Sequence, residues 1–246
     1  MRSTTTCRSK SWLKSWSRQV ALKSTRRRLP SNSSEWASAV KKTLKAAEQD
    51  RPDVHALRVA HASEMGKLDP STQVFLDECG VTTNMTRRYA RTLRGERAYG
   101  KCPVNYGPNV TIIKAIRQDG VAAAFQIDGA VDGEVFLVYL RDVLIPELRP
   151  GETVWMDNLG AHHVRGVKEA IEAAGAQLRY LPPYSPDFNP TEQAISKFKT
   201  YLRAQAPRTK KALDDAITQG LDSITAQDTA AWFKFCGYDS SMRQPL

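Results

Sequence analysis

Three acidic residues, Asp77, Asp157 and Glu192, stand apart from the other carboxylates of this 246-residue chain because of what surrounds them. Asp77 follows the apolar run Val74-Phe75-Leu76, and Asp157 follows Val154-Trp155-Met156. A carboxylate at the end of a buried strand is costly unless it is paired, hydrogen-bonded or bound to a metal. In open α/β sheets, sites gather at strand ends. Two central strands that each end in Asp could set two carboxylates side by side. Glu78, next to Asp77, points to the opposite face, because strand side chains alternate.

Glu192 has two readings. Asn189 suits a helix N-cap, Pro190 the first helical position, and Glu192 then falls at N3 of an N-x-x-E capping box. On the second reading Glu192 is the third ligand of a carboxylate cluster. At 100° per residue it shares a helix face with Ser196, Lys199 and Arg203, while Ala194, Ile195, Phe198, Tyr201 and Leu202 form the apolar face. A carboxylate followed by Lys and Arg suits a phosphate backbone lying along the helix; it equally suits a solvated face. Three gathered carboxylates have a definite use. Mg²⁺ takes oxygen ligands, commonly one or two carboxylates with water and phosphate. Two such ions activate an attacking oxygen and stabilise the leaving one in phosphodiester cleavage. The prolines Pro182, Pro183, Pro186 and Pro190 fix the backbone that delivers Glu192.

The elements that must position these acids are legible in outline. Ser34–Asp50 reads as a helix stopped at Arg51-Pro52, and a second helix covers Val54–Met65. Gln73–Glu78 is a buried-strand pattern, and the stretch from Val81 suggests a second strand before a basic loop. Asn109–Arg117 and Gly120–Asp128 read as a hairpin turning at Asp119-Gly120. Gly133–Leu148 is an amphipathic helix with Asp132 as N-cap. A strand at Glu152–Asn158, a helix closed by Gly175, and a strand at Ala176–Leu181 follow. Helices over Pro190–Ala204, Lys210–Ser223 and Ala226–Phe235 complete the chain. Consecutive strands followed by alternating helices predict an α/β fold with a mixed sheet and helices on both faces.

Composition narrows the class. The formal net charge is +10, but nine of the 36 basic residues and none of the 26 acidic ones lie in residues 1–34. The rest is nearly neutral, so the basic balance describes a leader segment. Its Ser/Thr/Arg bias predicts disorder, and its charge would favour nucleic acid through counterion release. Residues 35–66 read as a helical linker and 67–246 as the main domain. No apolar run has membrane-spanning length and no signal-peptide core follows the N-terminus, so a soluble, cytoplasmic protein is expected. The four cysteines show no zinc-binding spacing.

Three blocks, "FLDECGVTTNMTRRYARTLRGER", "VWMDNLGAHH" and "LPPYSPDFNPTEQAISKFK", occur in that order with 34 residues between Asp157 and Glu192. Together they resemble the signature blocks of bacterial insertion-sequence transposases of the mariner-related DDE superfamily. The likeness covers about Lys41 to Ser240. It implies an RNase H-like fold with a mixed five-stranded sheet, and Asp77, Asp157 and Glu192 as the metal-binding triad. It implies two Mg²⁺ (or Mn²⁺) ions, hydrolysis at transposon ends, and attack of the freed 3′-hydroxyl on target DNA by a homodimer on double-stranded DNA. A general RNase H-like nuclease and an inactive DNA-binding remnant are the alternatives.

Asn158 reads either as an orienting residue for Asp157 or a metal-bound water, or as a turn residue. His162 matches a site histidine of that family, although His163 beside it competes, and either also suits packing at a helix N-terminus. Arg87, Arg88, Arg91, Arg94 and Arg97, with Lys199 and Arg203, are expected to meet phosphates, which positions DNA without reading its sequence. The chain departs from the family pattern in three ways. Residues 1–34 lack a helix-turn-helix pattern and resemble a truncated start, Cys79 stands where threonine is common, and "GKCPVNYGPN" departs from a glycine-rich turn.

Overall fold

A computed structural model describes residues 45–239, other than 94 and 108. The leader and the residues of the first expected helix before Lys45 lie outside the described residues, as does Arg94. From Ala47 to Asp50 the chain forms a short 3-10 turn. Helix α1 (Pro52–Met65) then begins with proline in its first turn, where a missing N–H costs nothing.

Five strands form one sheet in the order β3-β2-β1-β4-β5. They are β1 (Gln73–Val81), β2 (Val110–Arg117), β3 (Gly120–Asp128), β4 (Thr153–Met156) and β5 (Gln177–Tyr180). The β1–β2–β3 part is antiparallel, and β4 and β5 add to β1 in parallel. The expected mixed sheet is therefore present. The β2–β3 hairpin closes with Arg117 opposite Gly120, and Gly120 takes the positive φ of 139° that the tight turn requires.

The stretch after Val81 is not a second strand. Thr82 and Asn84 bond to each other through their side chains, and the Arg208 guanidinium binds the carbonyls of Thr83 and Met85, each at 2.9 Å. The Arg208 bonds take two carbonyls that a ladder would need. β1 simply runs on to Val81, so Asp77 lies inside the strand and not at its end. Its position is still special. The parallel pairing with β4 stops at Phe75–Trp155, and β1 continues paired only with β2.

The pleat divides β1 between two cores. Val74 and Leu76 face a layer built with α2 (Gly133–Tyr139) and α3 (Val167–Ala173). Phe75 faces α1 and α6 (Ala226–Phe235), and Cys79 and Val81 face α4 (Thr191–Gln205) and α5 (Lys210–Asp222). Helices thus cover both faces. Asp132 caps α2 as expected, accepting the Val135 N–H at 2.9 Å. That helix is shorter than its periodicity suggests. It widens into a π turn at Leu140–Leu144 and a 3-10 turn at Ile145–Glu147, where Pro146 has no N–H to continue the ladder. Among the described residues no helix is long and apolar enough to cross a membrane.

α4 docks through Ala194, Phe198 and Leu202, all fully buried. Burying side chains of the last two kinds contributes about 1.5–3 kcal/mol each. The opposite face carries Glu192, Ser196, Lys199 and Arg203, none of which is buried. The amphipathic reading of this helix therefore fixes its rotation, and with it the direction of Glu192.

Candidate active site

Asp77, Asp157 and Glu192 line one cavity of about 540 Å³, walled by Asn158, Leu181, Pro182, Pro183, Ser185, Pro186 and Asn189. The sequence separates these acids by up to 115 positions, and three different elements bring them together. β1 supplies Asp77, the turn after β4 supplies Asp157, and the first turn of α4 supplies Glu192.

The proline segment is itself a wall of the cavity and is anchored from outside. Arg58 of α1 binds Asp187 with a forked pair at 2.9 and 2.7 Å, bonds the Ser185 hydroxyl at 2.7 Å, and lies 4.6 Å from the Phe188 ring centroid. The Tyr238 hydroxyl donates to the Phe188 carbonyl at 3.0 Å. The Asn158 amide donates to the Leu181 carbonyl at 2.8 Å, tying the ends of β4 and β5 together. Asn158 therefore braces the wall, and among the described residues its amide makes no hydrogen bond to Asp157.

The capping-box reading of Glu192 fails. Pro190 is the cap position, so Glu192 is the second helical residue. Asn189 closes the turn alone: its Oδ1 accepts the Thr191 N–H at 3.1 Å, while its Nδ2 donates to Asp77 Oδ2 at 2.9 Å. Glu192 has no hydrogen-bond or ion-pair partner among the described residues and opens to solvent at the cavity mouth.

Electrostatics distinguish the three acids. Asp77 accepts from the Glu78 N–H at 2.8 Å and from the Thr191 hydroxyl at 2.9 Å. Burial nevertheless raises its pKa above the ordinary carboxylate value, against the pull of Lys114. Glu192 is also raised, by partial burial and then by the charge of Asp77. Burial pushes Asp157 up too, but hydrogen bonds from His162 and the Leu159 N–H outweigh it and hold the carboxyl below its usual range. Asp77 and Glu192 thus resist ionisation near one another, and such a pair has a use for a bound cation.

The fold chooses between the two histidines that the sequence offers and adds residues that a reading of the sequence misses. His162 is the histidine that joins the site: its Nδ1 is 2.8 Å from Asp157 Oδ1 and its Nε2 is 3.0 Å from Glu78 Oε1. Each ring nitrogen faces a carboxylate, so both must carry hydrogen to donate. Burial lowers its pKa, but those two hydrogen bonds prevail and push it up to about 10. His163 instead stacks on Tyr180 at 4.3 Å. Lys114 pairs with Asp77 across β1–β2 on the same face, and is fully buried with no hydrogen-bond partner for its Nζ. A lysine inside an apolar strand is the signal that could have found it. Asn189 and Thr191 are visible in the sequence only as turn formers.

Of the basic residues, Arg87, Arg88 and Arg203 line one surface groove of about 510 Å³. Arg88, Lys199 and Arg203 line a second of about 390 Å³ beside it. Arg91 and Arg97 are exposed but line neither groove.

The donor set suits a hard divalent cation: three carboxylates against one buried amine, around one solvent-reached cavity. Among the described residues, no three His, Cys, Asp or Glu side chains lie close enough to cage a metal by themselves. Mg²⁺ does not require that, since it keeps waters and binds through one or two carboxylates plus phosphate. The residues fit the group.

A mixed β3-β2-β1-β4-β5 sheet with helices on both faces, and acids gathered near the ends of its parallel strands, gives this chain an RNase H-like fold. The profile of the DDE superfamily endonuclease family matches residues 72–214, and the chain belongs to that family. Among solved structures, the Mos1 transposase paired-end complex with left transposon end matches at 14% identity and a TM-score of 0.66, covering 81% of this chain and 64% of that one. The mariner Mos1 paired end complex with Mg matches at 16% identity and 0.64, covering 83% and 64%. The catalytic domain of Mos1 mariner transposase matches at 13% identity and 0.57, covering 80% and 91%. The chain thus spans less than two thirds of the transposase chains in those complexes. At these identities the likeness is one of fold. No curated protein matches the chain.

Proposed function

We propose that this domain cuts DNA at the ends of a mobile element of the bacterial insertion-sequence type and joins the freed 3′-hydroxyl to target DNA. The observation that carries this reading is the convergence of Asp77, Asp157 and Glu192 on one cavity in a DDE-family domain. Asp77, Asp157 and Glu192 would hold two Mg²⁺ or Mn²⁺ ions, which when bound activate the attacking oxygen and stabilise the leaving one. Solved structures of this fold include paired-end complexes with Mg, with Mn and with a transposon end, which supports the choice of cation and substrate.

The chain's own residues do the rest. Asn189 and Thr191 hold Asp77, His162 holds Asp157, and the α4 fold holds Glu192. A misplacement of ~1 Å at such a site costs ~100-fold in rate, which gives the anchored proline wall its purpose. Arg87, Arg88, Lys199 and Arg203 lie on the exposed side of α4 and the loop beside it, where a phosphate backbone entering the cavity would pass. A homodimer on paired DNA ends is part of the same proposal.

The test uses the full chain with Mn²⁺ and duplexes that carry the repeats flanking its coding region, either intact or pre-cut. Cleavage and joining are expected with wild type, and loss of roughly 100-fold or more with Asp77→Ala, Asp157→Ala or Glu192→Ala. Cleavage without joining of the pre-cut end would make the domain a nuclease only. Metal-independent activity, or equal activity in the three variants, would overturn the reading.

A further inference from the structure

Asp157 follows β4 in a turn, and its side chain is 41% exposed. Left alone, such a carboxylate rotates freely and presents either oxygen. Here two donors converge on one of them: His162 Nδ1 at 2.8 Å and the Leu159 N–H at 3.1 Å both meet Oδ1, with Nδ1 also 3.2 Å from the Asp157 carbonyl oxygen. Oδ2 has no protein partner among the described residues. The donor that matters most is the imidazole, and it is held in turn. His162 is 1% exposed, its ring packs 4.5 Å from the Phe136 ring, and its Nε2 meets Glu78 Oε1 at 3.0 Å. Glu78 is the residue after Asp77, on the opposite face of β1. One strand therefore gives one acid to the cavity and sends the next beneath the sheet to the histidine.

We propose that Glu78 is a positioning residue for the carboxylate site: through His162 it fixes which oxygen of Asp157 is offered to a bound cation. This rests on the reading of Asp157 as a metal ligand. Partners behind a ligand are commonly worth 10–100-fold in metal affinity. A structural role alone, as a buried ion pair, would change stability and leave affinity where it was.

The experiment measures Mn²⁺ binding to the full chain by electron paramagnetic resonance, with melting temperature read alongside. Glu78→Ala is expected to weaken binding about 10-fold. Glu78→Gln is expected to stay close to wild type, since the glutamine amide can turn to donate to Nε2, which leaves the ring hydrogen on Nδ1 for Asp157. Both variants remove the same negative charge, so a split between them isolates the hydrogen bond from the charge. Arg117→Met breaks the buried Arg117–Glu152 pair, whose shortest approach is 2.6 Å, at the opposite end of the sheet. It should lower the melting temperature without weakening Mn²⁺ binding. The inference is overturned if Glu78→Ala binds like wild type, if Glu78→Gln is as weak as Glu78→Ala, or if Arg117→Met weakens binding equally. If wild type shows no Mn²⁺ binding that Asp157→Ala removes, the metal reading fails and this inference with it.

Discussion

Asn189 uses opposite ends of one amide for two tasks: Oδ1 accepts the Thr191 N–H and Nδ2 donates to Asp77. The two tasks separate by substitution. Asn189→Ala loses both and should cost on the order of 1–2 kcal/mol in urea unfolding. Asn189→Asp keeps the acceptor but sets a carboxylate against Asp77, whose pKa burial already raises. Such an acid binds its proton more tightly folded than unfolded, so the penalty is full above its raised folded pKa and fades as pH falls from there to the ordinary carboxylate value. Asn189→Asp should therefore be the less stable variant at pH 8 and recover relative to Asn189→Ala near pH 4. If the two track each other across that range, Asn189 does not touch Asp77. At this scale the sequence misleads about Glu192 for the same reason. The string N-P-T-E has capping-box letters, and only the fold reveals that the asparagine is drawn to an acid 112 positions away.

Elements are more legible than their details, because period and punctuation are local. The apolar runs of β2 and β3 on either side of Asp119-Gly120 give the hairpin, and the apolar stripe of α4 gives the rotation of Glu192. The stretch after Val81 passes for a strand because the groups that hold it off the sheet come from Arg208, far along the chain. The close meeting of α4 and α5 is equally hidden. Gly220 on α5 faces Phe198 on α4, and a Cβ there would sit 3.0 Å from two ring carbons and 3.1 Å from Tyr201. Alanine at position 220 gains about 1 kcal/mol in helix propensity. Overpacking costs about 1–3 kcal/mol, so the balance runs against the substitution. Gly220→Ala should lower the melting temperature by several degrees, of the order a ~1 kcal/mol loss gives. A higher melting temperature would show that the two helices have room to separate.

For the whole molecule, the +10 charge is a poor guide to where DNA would lie, since outside residues 1–34 acids and bases nearly balance. What matters is placement. Arg87, Arg88 and Arg203 meet in adjoining grooves beside α4, with Lys199 one turn nearer to Glu192. The arginine cluster is visible in the sequence as a run, but only the fold selects Arg87 and Arg88 from it. If this ridge carries the phosphate backbone, its contribution is ionic and salt must reveal it. Neutralising each phosphate adds about 0.9 to the slope of log K against log salt for duplex DNA. The triple variant Arg87→Ala, Arg88→Ala, Arg203→Ala in the full chain should therefore bind a random duplex more weakly. Its slope should be shallower by roughly 0.9 for each phosphate no longer neutralised, whatever the duplex sequence. The slope that remains belongs to other cations, including the nine of the leader. Fluorescence anisotropy across a salt series measures both quantities. An unchanged slope would mean that the backbone reaches the three carboxylates by another route, with the leader supplying the charge.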